Sequence, residues 1–144
     1  MSSFTKINKI LVSLDGSKNS FKGLEYAIYL ARQCHASITG LCVIPINPPI
    51  AMPGLTSAFK LKMTKDAKKF LDQARINAAQ NGIVFNKKII NGIPTEDVAN
   101  FANRNKFDLV VIGHRGHSAV REMFLGSVAN STVHKSKIPV FVIK

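Results

Sequence analysis

The sequence predicts an α/β fold, a single domain built on an open parallel sheet with helices on both faces. Short apolar runs alternate along the 144 residues with longer segments whose apolar residues recur at helical spacing. The short runs are apolar throughout instead of alternating with polar residues, as strands covered on both faces require. The length suits one domain, residues 1–144, with a core two or three layers thick.

The first half of the chain contains two predicted strands and one predicted helix. Lys9–Leu14 is an apolar strand that ends in turn residues. Apolar residues three or four apart predict a helix over Ser17–Cys34, capped by its first residue or by Asp15. Ser37–Ile44 is the second strand. Residues 45–57 hold four of the six prolines, which predicts a long surface loop of a kind that often carries function.

The second half repeats the alternation of helix and strand. Thr56–Asn81 is predicted as a long amphipathic helix that ends at an Asn-Gly stop signal. The strand predicted at Ile83–Ile90 is interrupted by Asn86, Lys87 and Lys88, which suits the edge of a sheet. The remaining predicted elements are a helix at Pro94–Arg104, a strand at Asp108–Ile112, a helix at Ser127–Ser136 and a strand at Pro139–Ile143.

The net charge of +12 raises the question of a nucleic-acid partner. The excess charge is shared evenly between the two halves of the chain, without a basic tail. Its densest cluster is in the long helix, where lysines fall on one side and apolar residues on the other. We interpret this cluster as a solvated helix face, so a nucleic-acid partner is not expected, although the charge should attract ATP over long range. The lysines are Lys62, Lys65, Lys68 and Lys69.

Other sequence features indicate a cytoplasmic protein without membrane contact. No apolar stretch approaches the roughly 20 residues that span a bilayer, and the N-terminal segment lacks the pattern of a signal peptide. Cys34 and Cys42 stand alone, without a CxxC pair, and are expected to be reduced, partly buried thiols.

The most informative segment runs from residue 108 to residue 127. An apolar strand leads into Gly113 and Gly116, and Gly126 with Ser127 then opens a helix, so the spacing is Gly-x2-Gly-x9-Gly-Ser. This spacing is neither the P-loop nor the dinucleotide fingerprint. Glycines at a strand end and a hydroxyl at a helix start bring backbone N–H groups to face a phosphate. Right-handed crossovers place Asp15 and the end of the second strand at the same rim.

Together these segments resemble the universal stress protein family over essentially the whole chain. The matching stretches are KILVSLDGS at residues 9–17 and IGHRGHSAVREMFLGSVANSTVHKSKIPVFVIK at residues 112–144. The glycine spacing is the signature of the family's ATP-binding branch. The resemblance implies a Rossmann-like sheet of strand order 3-2-1-4-5, related to the adenine nucleotide alpha hydrolases. It also implies a dimeric regulator that responds to nucleotide in the stress response, with ATP, ADP or AMP bound and Mg accompanying the nucleotide.

The resemblance implies a role for each site residue. Asp15 would contact the ribose or a metal near the phosphates, and the backbone of Val43 would recognise adenine. Gly113 would border the ribose. Two alternatives stay open, an Asx turn or helix cap for Asp15 and a helix N-cap for Ser127. The residues placed around the phosphates are Gly116, Gly126 and Ser127, with Arg115, His117 and Val128 beside them.

The sequence also bears on assembly and catalysis. The apolar strand Pro139–Ile143 would lie at a sheet edge, and the family often dimerises through it, so we expect a homodimer with protein partners unknown. His114 and His117 lack a clear third ligand, so a metal site between them is not expected. We find no catalytic signature. The alternatives are a slow ATPase or phosphotransfer enzyme that uses Asp15 or His117, and a basic nucleic-acid-associated protein.

Overall fold

The computed structural model describes residues 5–46, 56–116 and 125–144 of the chain. Within these ranges strands and helices alternate strictly, as predicted. In chain order the elements are β1 (Lys9–Ser13), α1 (Lys18–Cys34), β2 (Ser37–Pro45), α2 (Thr56–Ala79), β3 (Phe85–Gly92), α3 (Pro94–Arg104), β4 (Leu109–Gly113), α4 (Ser127–Lys135) and β5 (Val140–Ile143).

The strands form one five-stranded sheet in the order β3-β2-β1-β4-β5. Each neighbouring pair is parallel. This topology confirms the predicted fold class and strand order. The chain moves outward from β1 to β3 and then returns across the sheet to β4 and β5. The order therefore reverses between β1 and β4, and a crevice at their C-terminal ends is where such sheets bind ligands.

Both faces of the central strand β1 are buried, which explains its continuous apolar run. Ile10 and Val12 belong to a core that includes residues of α1 and α2. Leu11, between them, belongs to a second core that includes residues of α3. All three side chains are fully buried. Because successive residues of a strand point to opposite faces, a strand covered on both sides needs an apolar residue at every position.

Most boundaries lie one or two residues from the predicted ones, and the difference around Gly82 has a local reason. The long helix ends at Ala79 and not at Asn81, and the following strand begins at Phe85 and not at Ile83. Gly82 has a φ of +72°, and the amide of Ile83 donates back to the Ala78 carbonyl at 3.0 Å. The helix therefore ends in a left-handed turn. The residues of this turn were assigned by the apolar pattern partly to the helix and partly to the strand.

The lysine-rich side of α2 is exposed, as predicted, and its opposite side is packed on the sheet. Ala67, Leu71 and Ala74 are fully buried, whereas Lys65 and Lys69 are exposed. At the β3 edge, Lys87 Nζ lies 2.6 Å from Asp72 Oδ1 of α2. This hydrogen bond with Lys87 is the main reason that the pKa of Asp72 is lowered. Charged side chains thus line the outer strand, as expected of a protected edge.

No helix in the described ranges combines the length and the apolar character needed to cross a bilayer. The helices are instead amphipathic, with one side against the sheet. In α1, for example, Leu24, Ala27 and Ala31 are buried, while Tyr26 and Tyr29 are exposed. Helical spacing thus divides α1 between core and surface.

Candidate functional site

The C-terminal ends of β1, β2 and β4 open onto one cavity of about 200 Å³. Every predicted site residue in the described ranges lines it, and these residues come from segments far apart in sequence. His117 lies outside the described residues. The lining residues that the sequence predicted are Asp15, Val43, Gly113, Arg115, Gly116, Gly126, Ser127 and Val128.

Asp15 follows β1 at the mouth of the cavity and organises the start of α1. Its Oδ1 accepts a hydrogen bond from the Ser17 amide at 2.9 Å, which closes an Asx turn. Ser17 is the N-cap of α1, and its Oγ accepts from the Ser20 amide at 3.1 Å. Between these residues, Gly16 has a φ of +83°, a backbone conformation that favours glycine. The turn therefore holds the Asp15 carboxylate at the rim, where it lines the cavity.

Val43 lines the cavity at the end of β2, and the strand geometry places its backbone groups on the side of β1. The Leu14 amide donates to the Leu41 carbonyl at 2.9 Å, so the backbone groups of Leu41 face β1. Backbone groups alternate sides along a strand, so the N–H and C=O of Val43 face the same way. The last register pair of β1 and β2 is Ser13 with Leu41. Val43 therefore presents a donor and an acceptor beyond the end of β1, at the edge of the cavity.

Gly113, the last residue of β4, has no room for a side chain. A Cβ at this position would lie 2.9 Å from both Cγ and the backbone oxygen of Asn19 in α1. The Asn19 side chain uses this space, and its Oδ1 accepts a hydrogen bond from the Arg115 amide at 3.0 Å. The glycine thus allows α1 to hold the loop that follows β4.

The two later glycines allow further close approaches. A Cβ at Gly116 would overlap Oδ2 of Asp15, so the loop and the carboxylate are in direct proximity. A Cβ at Gly126 would lie 3.0 Å from the His114 carbonyl oxygen, which accepts the Gly126 amide at 2.6 Å. These contacts join the rim after β1, the loop after β4 and the start of α4 around one space.

The N-terminus of α4 faces this space. The interpretation of Ser127 as the N-cap is wrong, because Ser127 is the first helical residue and Gly126 is the cap. Gly126 has no side chain, so the cap residue itself makes no side-chain hydrogen bond to the first turn of the helix. Ser127, Val128 and Ala129 line the cavity. The first amides of a helix lack intrahelical partners and carry the positive end of its dipole, so this end of the cavity favours an anion.

Sequence reasoning missed the side chains that support the loop after β4. The ring of His114 lies between two partners, with Nδ1 3.2 Å from the Ile143 carbonyl oxygen and Nε2 accepting from Arg115 Nε at 3.0 Å. The Asn19 side chain also donates to the Ile143 carbonyl, at 3.4 Å. Asn19 and Arg115 are 96 positions apart, so no local sequence pattern predicts their contact.

The side chains that could bind a metal and the thiol nearest Asp15 bear on the chemistry of the cavity. The residues described here contain no group of three or more His, Cys, Asp or Glu side chains placed to hold a metal. Cys42 is buried in β2, and burial followed by the charge of Asp15 raises its pKa to about 12. Its thiol therefore stays protonated near neutral pH, which agrees with an unreactive structural role.

The fold and the cavity define a class of protein, an all-parallel α/β domain with an anion-favouring crevice at the switch point of its sheet. The model of the universal stress protein family matches residues 6–144. The chain therefore belongs to the universal stress protein family.

Individual relatives agree with this assignment. The chain is 29% identical over 153 residues to the universal stress protein YxiE of Bacillus subtilis, covering 95% of this chain and 99% of that protein. The solved structure of universal stress protein UspA from Lactobacillus plantarum has a TM-score of 0.88 at 24% identity, covering 96% and 99% of the two chains. A universal stress protein from Archaeoglobus fulgidus, solved in complex with dAMP, has a TM-score of 0.72 at 20% identity, covering 98% and 100%. The two solved structures share the fold of this chain.

Proposed function

We propose that this chain binds an adenine nucleotide, with ATP, ADP and AMP as candidate occupants, in the cavity at the ends of β1, β2 and β4. The observation that carries the proposal is the N-terminus of α4, whose cap residue Gly126 has no side chain and which faces a cavity lined by Asp15 and Val43. A helix end of this kind favours phosphate. The dAMP complex of the Archaeoglobus fulgidus protein, which shares the fold, supports an adenine nucleotide as the occupant.

Each part of the nucleotide has a suitable group in the cavity. The backbone N–H and C=O of Val43 would recognise the adenine edge, and Gly113 would border the ribose. The Asp15 carboxylate would accept ribose hydroxyls or bind Mg²⁺ that accompanies the phosphates. Gly116, Gly126 and Ser127 would surround the phosphates, with Arg115 and Val128 beside them and His117 adding a polar group.

We propose a binding protein with at most weak ATP hydrolysis, not a dedicated enzyme. Hydrolysis needs a base or another group that positions the attacking water. Among the described residues that line the cavity, Asp15 is the carboxylate, and its Oδ1 already accepts the Ser17 amide. That hydrogen bond, which fixes the turn, favours a positioning role for this carboxylate over proton transfer.

Isothermal titration calorimetry with ATP, with and without Mg²⁺, tests the proposal. Asp15→Asn retains an oxygen for the Asx turn but loses the charge, so we expect it to keep its thermal midpoint and to lose the dependence of ATP affinity on Mg²⁺. Asp66→Asn is the matched control, because it removes an exposed carboxylate that pairs with Lys62 on α2. Wild-type protein at ATP one hundred times the Kd should gain about 2.7 kcal/mol of stability. Absence of ATP, ADP and AMP binding by the wild-type protein in the same assay would refute the proposal.

We also propose that the protein forms a homodimer through the edge of β5, residues 139–143. Pro139 and Ile143 direct their carbonyls at β4, where they accept the amides of Val110 at 3.0 Å and His114 at 2.8 Å. By alternation, the backbone groups of Val140 and Val142 face away from β4. No strand lies beyond β5 among the described residues. These backbone groups provide a template on which a second copy would pair.

An apolar patch beside this edge favours the same partner. Phe141 is 45% exposed, and it shares a surface depression with Tyr26 and Tyr29 of α1, which are 49% and 62% exposed. Large aromatic side chains of this kind are enriched at protein interfaces. A second copy that paired at β5 would cover them.

Light scattering after size-exclusion chromatography tests the dimer. Val142→Pro removes the outward amide without removing a hydrogen bond to β4, so we expect it to abolish the dimer and leave a folded monomer of about 15.8 kDa. Val142→Ala is the control, because it keeps the amide and should keep the dimer. A Val142→Pro protein that remained dimeric would place the interface elsewhere.

The regulatory role follows from these two proposals together. Pro45 ends β2 and lines the cavity, and the proline-rich stretch of the sequence begins at this residue. We propose that the dimer binds protein partners in the stress response through a surface that depends on the bound nucleotide. An affinity capture from stressed cell lysate that returned the same proteins with ATP and without it would contradict this role.

A further inference from the structure

We propose that His114 is a positioning residue that orients the Arg115 guanidinium for the phosphates of the bound nucleotide. The inference rests on the proposed nucleotide binding at this cavity. In this arrangement the Arg115 guanidinium is held in place before the nucleotide binds. His114, for which no metal site is expected, would hold it.

The His114 ring bridges the end of β5 and the Arg115 side chain. Its Nδ1 lies 3.2 Å from the Ile143 carbonyl oxygen, and its Nε2 accepts from Arg115 Nε at 3.0 Å. A carbonyl can only accept and a guanidinium can only donate. The two partners therefore select the neutral tautomer with its proton on Nδ1, and that tautomer presents an acceptor to the arginine.

The backbone that carries both side chains is fixed on three sides. The His114 amide donates to the Ile143 carbonyl at 2.8 Å, and the His114 carbonyl accepts the Gly126 amide at 2.6 Å. The Arg115 amide donates to Asn19 Oδ1 at 3.0 Å. The position of the Arg115 Cα is thus determined by β5, α4 and α1. The His114 ring in turn restricts the direction of the long Arg115 side chain.

The bond at Nε matters because Arg115 lines the cavity and because a guanidinium is planar. Fixing Nε sets the plane of the whole group and so the direction of its other donors. Guanidinium donors recognise phosphate oxygens with defined geometry. A side chain ordered in advance loses less conformational freedom when the ligand binds. The consequence is selective, because the ordered cation should favour the charged phosphates and have no effect on the nucleoside.

The test compares Kd values for ATP and for adenosine by calorimetry in wild type, His114→Ala, Arg115→Ala and the double variant. We expect His114→Ala to weaken ATP binding about tenfold, the lower end of the effect of one lost hydrogen bond to a charged group, and to leave adenosine binding unchanged. Arg115→Ala should weaken ATP binding further. Adding His114→Ala to it should have no additional effect, because the side chain that His114 orients is already absent.

Two conservative variants separate positioning from structural support. His114→Gln places an acceptor near the position of Nε2, and it should recover most of the ATP affinity. His114→Asn places its amide near the position of Nδ1, and it should keep the contact with Ile143 without recovering that affinity. These two variants also keep the test valid if His114→Ala does not fold.

The outcomes distinguish this inference from the proposal on which it rests. Absence of ATP, ADP and AMP binding by wild-type protein overturns both. If wild-type protein binds ATP but His114→Asn binds ATP with wild-type affinity, the inference alone is overturned. Equal losses of ATP and adenosine affinity, or an effect of His114→Ala that persists in the Arg115→Ala background, overturn it as well.

Discussion

Gly113→Ala is the sharpest test of the packing around the cavity. A Cβ at Gly113 would lie 2.9 Å from Cγ and from the backbone oxygen of Asn19, and would overlap its Oδ1. The φ of Gly113 is not among the positive values found in the described residues, so the contact with Asn19 and not the backbone conformation determines the cost. The Asn19 side chain would have to leave, although its Oδ1 accepts the Arg115 amide at 3.0 Å.

The expected magnitude follows from three contributions. Overpacking costs about 1–3 kcal/mol, and the lost hydrogen bond costs about 1 kcal/mol. Alanine recovers about 0.4–1 kcal/mol, because it reduces the conformational freedom of the unfolded chain. We therefore expect the free energy of unfolding to fall by about 1–3.6 kcal/mol. For a domain of this size the thermal midpoint should fall by about 3–12 °C.

Gly23→Ala provides a matched control on the other side of the same contact. Gly23 lies within α1, and a Cβ there would find its nearest neighbours, the Gly113 amide nitrogen and Val111 Cγ1, at 3.7 Å. This distance is ordinary van der Waals contact. Alanine is preferred over glycine inside a helix by about 0.5–1 kcal/mol, so this variant should be more stable than wild type.

Thermal and guanidinium unfolding followed by circular dichroism measure both variants. The same Gly→Ala change should lower the free energy of unfolding at Gly113 and raise it at Gly23. A Gly113→Ala protein as stable as wild type, or a Gly23→Ala protein that was equally destabilised, would refute the packing distances on which the reasoning depends.

Two further predictions concern a helix cap and a thiol. Ser17→Ala should lower the free energy of unfolding by about 1 kcal/mol, because Ser17 caps α1. Ser127→Ala should change it by less than about 0.5 kcal/mol, because Gly126 and not Ser127 is the cap of α4. Urea unfolding of the two variants measures both changes. The pKa of Cys42 rises from 9.0 to about 12 through burial and then the charge of Asp15, so between these pH values the unfolded chain loses a proton that the folded chain keeps. Stability should therefore fall as pH rises from 9 toward 12, and Cys42→Ala should show a shallower fall in the same titration; an unchanged slope would contradict the buried, protonated thiol.

Local patterns predicted most of the fold, and the errors arose where the chain turns. Apolar runs and helical spacing identified each of the nine elements in the described ranges. The start of β3 was misplaced because the turn around Gly82 depends on a hydrogen bond from Ile83 to Ala78. Such bonds leave little trace in apolar periodicity.

The candidate site shows the same division. Asp15 and the glycines Gly113, Gly116 and Gly126 were found from sequence, because residues at strand ends and without side chains have a recognisable local spacing. Asn19 and the role of the His114 ring were missed. Asn19 bonds the Arg115 amide, 96 positions away, and the Ile143 carbonyl, 124 positions away. The His114 ring lies between the Ile143 carbonyl and the Arg115 side chain.

The sequence by itself determined the order of elements, the all-parallel sheet and the family to which the chain belongs, because each of these depends on periodicity and on short motifs. Tertiary structure alone decided that Gly126 and not Ser127 caps α4, and that α1 and β5 hold the loop after β4. The physical reason is that hydrogen bonds between distant segments form only when the sheet has brought the strand ends together, and no single segment encodes the distance between them.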